Sequence, residues 1–312
     1  MTPQKLFLTG GSGYLGRNLI RHYVGLGIPV VALARSDAAA ATVSQLGAEP
    51  WRGDLQSPAL WRGMAGCDGM IHAAADTDHG RGSAGQTATN IAGTGNVLDA
   101  AERAGVARMV HISTESVLLT GRPLVNADET HPMPRRPVGN YSASKAAAEQ
   151  QALSRSHQGF AVMAVRPRLV WGRDDTTALP QLLAAAQSGQ LAWIDGGHYR
   201  TSSTHIANLC HGVELALARG QGGEAYFITD GQAWTFRDLV GGMLAARGIT
   251  PPDKTVPRWL LRTMANLGDV LTRLTDGRVT LPITMQALAT SAVEVTLDIS
   301  KAQRDLGYRP VI

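Results

Sequence analysis

Apolar positions along the chain alternate between two rhythms. Short continuous runs of the buried-strand type occur at Leu6-Phe7-Leu8, at Pro29-Val30-Val31-Ala32-Leu33-Ala34-Arg35, at Gly69-Met70-Ile71-His72 and at Arg108–Ile112. Between them lie stretches with apolar residues at helical spacing. The first carries Leu15, Leu19, Ile20, Tyr23 and Val24, and a later one runs from Gln86 to Ala104. A polar, Ala-rich helix and a short strand near Pro50–Arg52 fill the remaining gap, and 76–85 reads as a polar, glycine-rich loop at a pocket lip. Strands that are apolar on both faces, alternating with helices, predict an α/β fold built on a doubly wound parallel sheet. A further helix is expected from Asn140 to about His157, after a proline-rich loop from Pro123 to Pro137.

The first strand ends in Thr9-Gly10-Gly11-Ser12-Gly13-Tyr14-Leu15-Gly16, which fits both Gly11-x-Gly13-x-x-Gly16 and Gly10-x-x-Gly13-x-x-Gly16. Glycines between a strand and a helix let a phosphate approach the helix N-terminus, where a Cβ would block it. In this context the loop predicts a dinucleotide site that includes Gly10, Gly13, Tyr14, Leu15 and Gly16. At the end of the second strand, 19 residues after Gly16, stands Arg35 rather than a carboxylate, and Asp37 follows in the next turn. An Arg there accommodates a ribose 2′-phosphate, so NADP is expected in preference to NAD. Asp54 and Leu55 follow the third strand, where Asp54 either accepts from the adenine amine or caps a turn. Ala73, Ala74 and Ala75 give a flat cofactor close access to the fourth strand, in which His72 reads as a packed residue.

Composition narrows the classes. With 312 residues, 44% hydrophobic and 17% charged, the chain has ample material for a globular core. A net charge of +4 without a basic, aromatic-interleaved block gives no support to nucleic-acid binding, and no apolar run reaches the roughly 20 residues of a membrane span. The N-terminus passes straight into a strand, and Cys67 and Cys210 read as reduced thiols, so a cytoplasmic location is expected. The nine histidines form no ligand-spaced cluster, and no metal site is expected. Only four of the 29 basic residues are lysines: Lys5, Lys145, Lys254 and Lys301. In a chain that uses Arg for generic charge, a Lys points to ammonium chemistry.

One of them, Lys145, lies four residues after Tyr141, on the same face of the helix opened by Asn140-Tyr141-Ser142-Ala143-Ser144-Lys145. An ammonium near a phenol favours the phenolate, so this pair is expected to pull Tyr141 down towards neutrality for acid–base work. Ser113 and Thr114, just after the fifth strand, place hydroxyls in the crevice where doubly wound sheets bind ligands.

With these motifs the sequence resembles the extended short-chain dehydrogenase/reductases, and within them the 3β-hydroxysteroid dehydrogenase and dihydroflavonol reductase branch. Further carriers are Asn90-x-x-Gly93-Thr94, Arg166-Pro167-x-x-Val170-Trp171-Gly172, Thr204-His205-Ile206-Ala207-Asn208 and Leu306-Gly307-Tyr308-Arg309-Pro310. The resemblance implies Tyr141 as proton donor to a carbonyl oxygen, Lys145 as its partner on the nicotinamide ribose, and Thr114 as a hydrogen-bond donor to the same oxygen. It places Asn90, Ser113, Pro167 and Val170 beside the cofactor. It also implies a ketone or secondary alcohol substrate and a homodimer formed through the helices at 86–104 and 140–157. A sugar-nucleotide epimerase and a non-catalytic cofactor sensor are the alternatives. The related dehydratases carry two successive acids after the catalytic Thr, whereas here Glu115 is followed by Ser116, which speaks against dehydration. Arg168 is expected either to reach substrate or to face water. The domain expectation is a cofactor unit of 1–172 with 203–222, and a substrate lobe of 173–202 with 223–312. In that lobe Pro257 to Leu274 reads as a basic amphipathic helix covering the pocket, packed on its own domain rather than on a membrane, and His198 is a substrate-contact candidate.

Overall fold

Seven short strands pair side by side as one parallel sheet, six of them apolar runs and the edge strand Glu49–Arg52 polar and mostly exposed. They are β1 (Leu6–Thr9), β2 (Val30–Ala34), β3 (Glu49–Arg52), β4 (Gly69–His72), β5 (Arg108–Ile112) and, after β6 (Leu124–Ala127) which lies elsewhere, β7 (Ala161–Arg166). The seventh, Ala225–Phe227, is numbered β12 below in chain order. The computed structural model describes residues 2–77, 84–274 and 284–312. Strand order is β12-β7-β5-β4-β1-β2-β3, so the winding of the sheet reverses between β1 and β4, parallel neighbours in which Thr9 pairs with His72. That reversal opens a crevice beyond the strand ends, the usual ligand site of such sheets.

Residue alternation along each strand sorts the core into two layers. Leu6, Leu8, Val30, Ala32, Ile71, Val110, Ile112 and Val165 face the helices Tyr14–Gly25 and Ile206–Arg219. Phe7, Val31, Leu33, Met70, Met109 and Val162 face the opposite way, against Val97, Leu98 and Ala101 of the helix Gly93–Ala104 and Ala152 of the helix Gly139–Ser154.

The remaining strands are short. β8 (Val170–Trp171) pairs with β11 (Thr204–His205), and β9 (Trp193–Ile194) pairs with β14 (Thr255–Val256). A second sheet has the order β13-β10-β15-β6, with β10 at Arg200–Ser202, β13 at Ala233–Thr235 and β15 at Val295–Leu297.

Three observations depart from the sequence expectations. The proline-rich loop contains β6, whose Leu124 and Ala127 pair with β15 from the far end of the chain. The return to the large sheet does not stop at 222, because β12 pairs with β7 through Ala225, Tyr226 and Phe227. The expected helix from Gln86 to Ala104 is broken by a wider turn at Ala88–Ala92, which brings Asn90 into the crevice side of the fold. Most of the expected lip at 76–85, namely 78–83, lies outside the described residues.

Candidate active site

The glycine loop is shaped by contacts that no side chain would permit. Gly10 has φ +73°, and a Cβ on it would sit 2.7 Å from Ala74 N and 2.8 Å from Ala73 C. A Cβ on Gly16 would overlap the Gly10 carbonyl oxygen. Gly11 packs on Ala32, Val43 and Ile20, so Gly10, Gly13 and Gly16 are the positions that face the crevice turn. The helix starting at Tyr14 has no side-chain cap and no acid in its first turn, which leaves its N–H groups and positive dipole end for an anion. The Tyr14 ring itself turns into the core, and burial pushes its phenol up. These features, with the orphaned buried hydroxyl of Ser113, fit a bound dinucleotide.

Beside the loop, Thr9 Oγ1 lies 2.7 Å from His72 Nδ1 and accepts from Ala74 N at 3.2 Å. His72 Nε2 lies 3.0 Å from Thr94 Oγ1, so this histidine is a packed, satisfied strand residue, pushed down to about 3 by burial first and Lys145 second. Asn90 bonds Asp76 through both its side-chain atoms and donates to Ser144 Oγ at 3.0 Å, tying the β4 exit to the Tyr141 helix. Arg35 is exposed at the end of β2. Ser36 caps the following helix, and Asp37 pairs with Arg52 at 3.1 Å. Asp54 takes the turn role, accepting from Gln56 N at 2.8 Å, with Leu55 packed against Gly93.

Past β5, the loop Arg166–Val170 runs alongside Ser113–Glu115. Ser113 N donates to Val165 O at 2.8 Å, and Glu115 N donates to Pro167 O at 3.2 Å. Thr114, Tyr141 and Lys145 meet here. Lys145 is buried and donates to Ile112 O at 2.6 Å; burial lowers it to about 8, with Glu149 opposing. Tyr141 hydrogen-bonds Thr114. The expected lowering of Tyr141 is not what this arrangement produces. Burial and then the charge of Glu115 push the phenol up, and only the Thr114 hydrogen bond favours the phenolate. The ammonium expected to do this work is directed at the Ile112 carbonyl instead.

Arg168 corrects a second expectation, since it neither faces water nor is free for substrate. It is 1% exposed, and its guanidinium reaches Glu115 Oε1 at 2.6 Å, Thr201 Oγ1 at 3.0 Å and Thr290 O at 2.8 Å. The other oxygen of Glu115 accepts from Thr114 Oγ1 at 2.8 Å. A chain of contacts therefore runs Arg168–Glu115–Thr114–Tyr141. A hydroxyl has one proton. While Thr114 gives it to Glu115, Tyr141 donates to Thr114; once Tyr141 is ionised, that proton can turn to the phenolate.

Some of this was beyond sequence reasoning. The Glu115–Arg168 pair spans two loops, and the buried Arg166–Glu149 pair spans a strand and a helix. Gln286 exchanges hydrogen bonds with Ser142, anchoring the Tyr141 helix to the helix Met285–Ser291. Asp230 gathers Trp171, Ser203, His205 and Asn208. The sequence had marked Glu115 and Arg168 singly and Arg166, Trp171, His205 and Asn208 as motif residues, without pairing any of them. His198 is exposed on the turn after Asp195.

Comparisons with known proteins agree with this geometry. Residues 6–229 match the model of the NAD dependent epimerase/dehydratase family. The chain is 46% identical over 305 residues to a 4-hydroxy-2-methyl-3-oxo-4-farnesyl-3,4-dihydroquinoline-1-oxide ketoreductase of Stigmatella aurantiaca, covering 97% of this chain and 91% of that protein. It is 30% identical to a 3-beta-hydroxysteroid dehydrogenase of Mycolicibacterium neoaurum, covering 98% and 86%. Among solved structures, gox2253 superposes with a TM-score of 0.81 at 27% identity, covering 98% of this chain and 93% of that one. The dTDP-glucose 4,6-dehydratase DesIV of Streptomyces venezuelae, solved with NAD and TYD bound, gives 0.77 at 26% identity, covering 99% and 92%. The chain is thus a member of the NAD dependent epimerase/dehydratase family, the extended short-chain dehydrogenase/reductases.

Proposed function

We propose that the protein interconverts a ketone and a secondary alcohol on an apolar or cyclic small molecule, with NADP(H) as its preferred cofactor. The observation that carries this reading is the convergence of Tyr141, Thr114 and Lys145 at the β5 exit, beside a glycine loop closed to side chains. The cofactor, held by the Gly10–Gly16 loop, would supply the hydride. In reduction Tyr141 gives its proton to the carbonyl oxygen. The phenolate so formed takes the Thr114 hydroxyl proton as a hydrogen bond and has the Lys145 ammonium nearby. Lys145 is fixed by the Ile112 carbonyl, which also orients it for a ribose hydroxyl. Ser113 offers a second hydroxyl to the same crevice.

Two features support the details. The relatives named above as ketoreductase and hydroxysteroid dehydrogenase act on apolar polycyclic or prenylated molecules by their names. For the cofactor, Arg35 stands exposed where a 2′-phosphate would lie, while Asp37 is drawn to Arg52. Dehydration has little support, because Glu115 is committed to Arg168 and Thr114. A homodimer through the helices Gly93–Ala104 and Gly139–Ser154 belongs to the same proposal and is checked by light scattering.

The test is net NADPH consumption by purified protein with a panel of cyclic and aryl ketones, with NADH in parallel. Consumption with a ketone is the expected result. Bound cofactor without net consumption on any ketone would overturn the reading in favour of an epimerase, and nucleotide sugars would be tried next.

A further inference from the structure

The helix Arg258–Leu274 is inside out for a helix that merely covers a pocket. Its inward stripe is small: Ala265, with Leu261 beside it, packs on Met285, Leu288 and Ala292, and Gly268 is also buried. Among the described residues its large apolar side chains other than Leu261 point away from the protein. Trp259 is 69% exposed, Leu267 55%, Leu260 39% and Met264 38%. At ~100° per residue these four fall within about 140° of arc, one continuous apolar face. Arg258 and Arg262 lie along one flank of that face. Arg258 is tied to Asp195 at 3.2 Å, whereas Arg262 is exposed, as is Lys254 just before the helix. Asp253 and Asp269 bound the stretch that holds these three basic residues, and Asp253 is drawn to Arg237 at 3.6 Å.

We propose that this outward face docks on an anionic lipid surface, with Trp259, Leu260, Met264 and Leu267 entering the headgroup boundary and Arg262 and Lys254 meeting lipid phosphates. An exposed Trp, Leu and Met face with a basic flank is the pattern of a helix that lies in a bilayer interface. Spanning is not at issue, since among the described residues no helix is long and apolar enough to cross a membrane. Charge favours an anionic occupant: the exposed Arg262 and Lys254 flank this face on a chain of net charge +4, and a second copy would bring the same cations against it.

Position gives the surface a use. The helix packs on Met285–Ser291, which in turn holds the Tyr141 helix through Gln286 and Ser142. A lipid-dissolved ketone would thereby be presented one helix layer from the candidate site; this consequence rests on the ketoreductase reading, whereas the docking itself does not.

The test is co-sedimentation of the full-length protein with vesicles of phosphatidylcholine, with and without phosphatidylglycerol. The expected result is binding about tenfold tighter or more on the anionic vesicles, the scale of one or two basic contacts, weakening as salt is added. The double variant Trp259→Ser, Leu267→Ser should lose this binding while keeping its circular dichroism melt, since both side chains are exposed. Turnover of a water-soluble ketone by that variant should be unchanged. Equal sedimentation of wild type and double variant, or none on either vesicle, would overturn the proposal. So would a dimer in light scattering that the double variant dissociates. The vesicle readout uses no turnover, so it fails or succeeds separately from the catalytic reading.

Discussion

Replacing Arg168 by Met tests the wiring of the site directly. Arg168 and Glu115 expose 1% and 4% of their side chains, so the pair is sealed from water. Arg168→Met keeps a long unbranched side chain but leaves the Glu115 carboxylate with Thr114 as its remaining side-chain partner, and strips Thr201 Oγ1 and Thr290 O of a donor. Breaking one half of a buried pair costs about 3–5 kcal/mol, because a charge stays buried without compensation. With an unfolding entropy of about 2.1 cal/mol/K per residue, a chain of 312 residues loses roughly 5–8 °C of melting temperature for that cost. The assay is a thermal melt by circular dichroism of wild type, Arg168→Met, and the double variant Arg168→Met, Glu115→Gln. The double variant should recover much of the loss, since its buried carboxylate is gone. An Arg168→Met midpoint within about 1 °C of wild type, with no gain in the double variant, would refute the claim that this charge is sealed and paired.

Four further outcomes follow from the same structure. Tyr141→Phe should abolish ketone turnover while titration still shows cofactor binding, and an active Tyr141→Phe enzyme would remove the phenol from the chemistry. Arg35→Asp should move the NADPH to NADH ratio of kcat/KM towards NADH, and an unchanged ratio would take Arg35 out of the argument. Gly16→Ala should abolish cofactor binding or fold poorly, because its Cβ overlaps the Gly10 carbonyl; ordinary binding by a stable Gly16→Ala protein would show the loop to be looser. Acid stability carries a sign. His72 is lowered from 6.5 to about 3 and His111 is held well below its ordinary value by burial, so stability present above about pH 6.5 is lost as the pH falls and the unfolded chain takes up these protons. The melting midpoint should therefore drop between about pH 6.5 and pH 4, and His111→Leu should flatten the drop. An equal slope in that variant would place the acid sensitivity elsewhere.

Local signals accounted for the elements that depend on neighbours in sequence. β5 was legible to the residue as Arg108–Ile112, because a fully buried parallel strand must be apolar on both faces. The glycine loop was legible because only glycine tolerates the positive φ of Gly10 and the overlap at Gly16. Tyr141 and Lys145 were legible because a spacing of four on a helix fixes one face. Whatever depends on residues distant in sequence stayed hidden. β6 was read as loop because its partner, β15, arrives some 170 residues later, and a strand of four residues has no periodicity of its own. Arg168 was read as reaching substrate or facing water because its compensating acid, Glu115, comes from another loop, and a charge becomes tolerable inside only when such a partner is brought to it. The same holds for Tyr141. The sequence established which phenol and which ammonium share a face, but burial, the Glu115 charge and the Ile112 carbonyl set the proton affinity, and those are properties of the packed crevice. The amphipathic pattern of the helix Arg258–Leu274 was plain from spacing alone; that its Ala265 side turned inward was decided by packing on Leu288 and Ala292 of the neighbouring segment, which come close in the fold and not in the sequence.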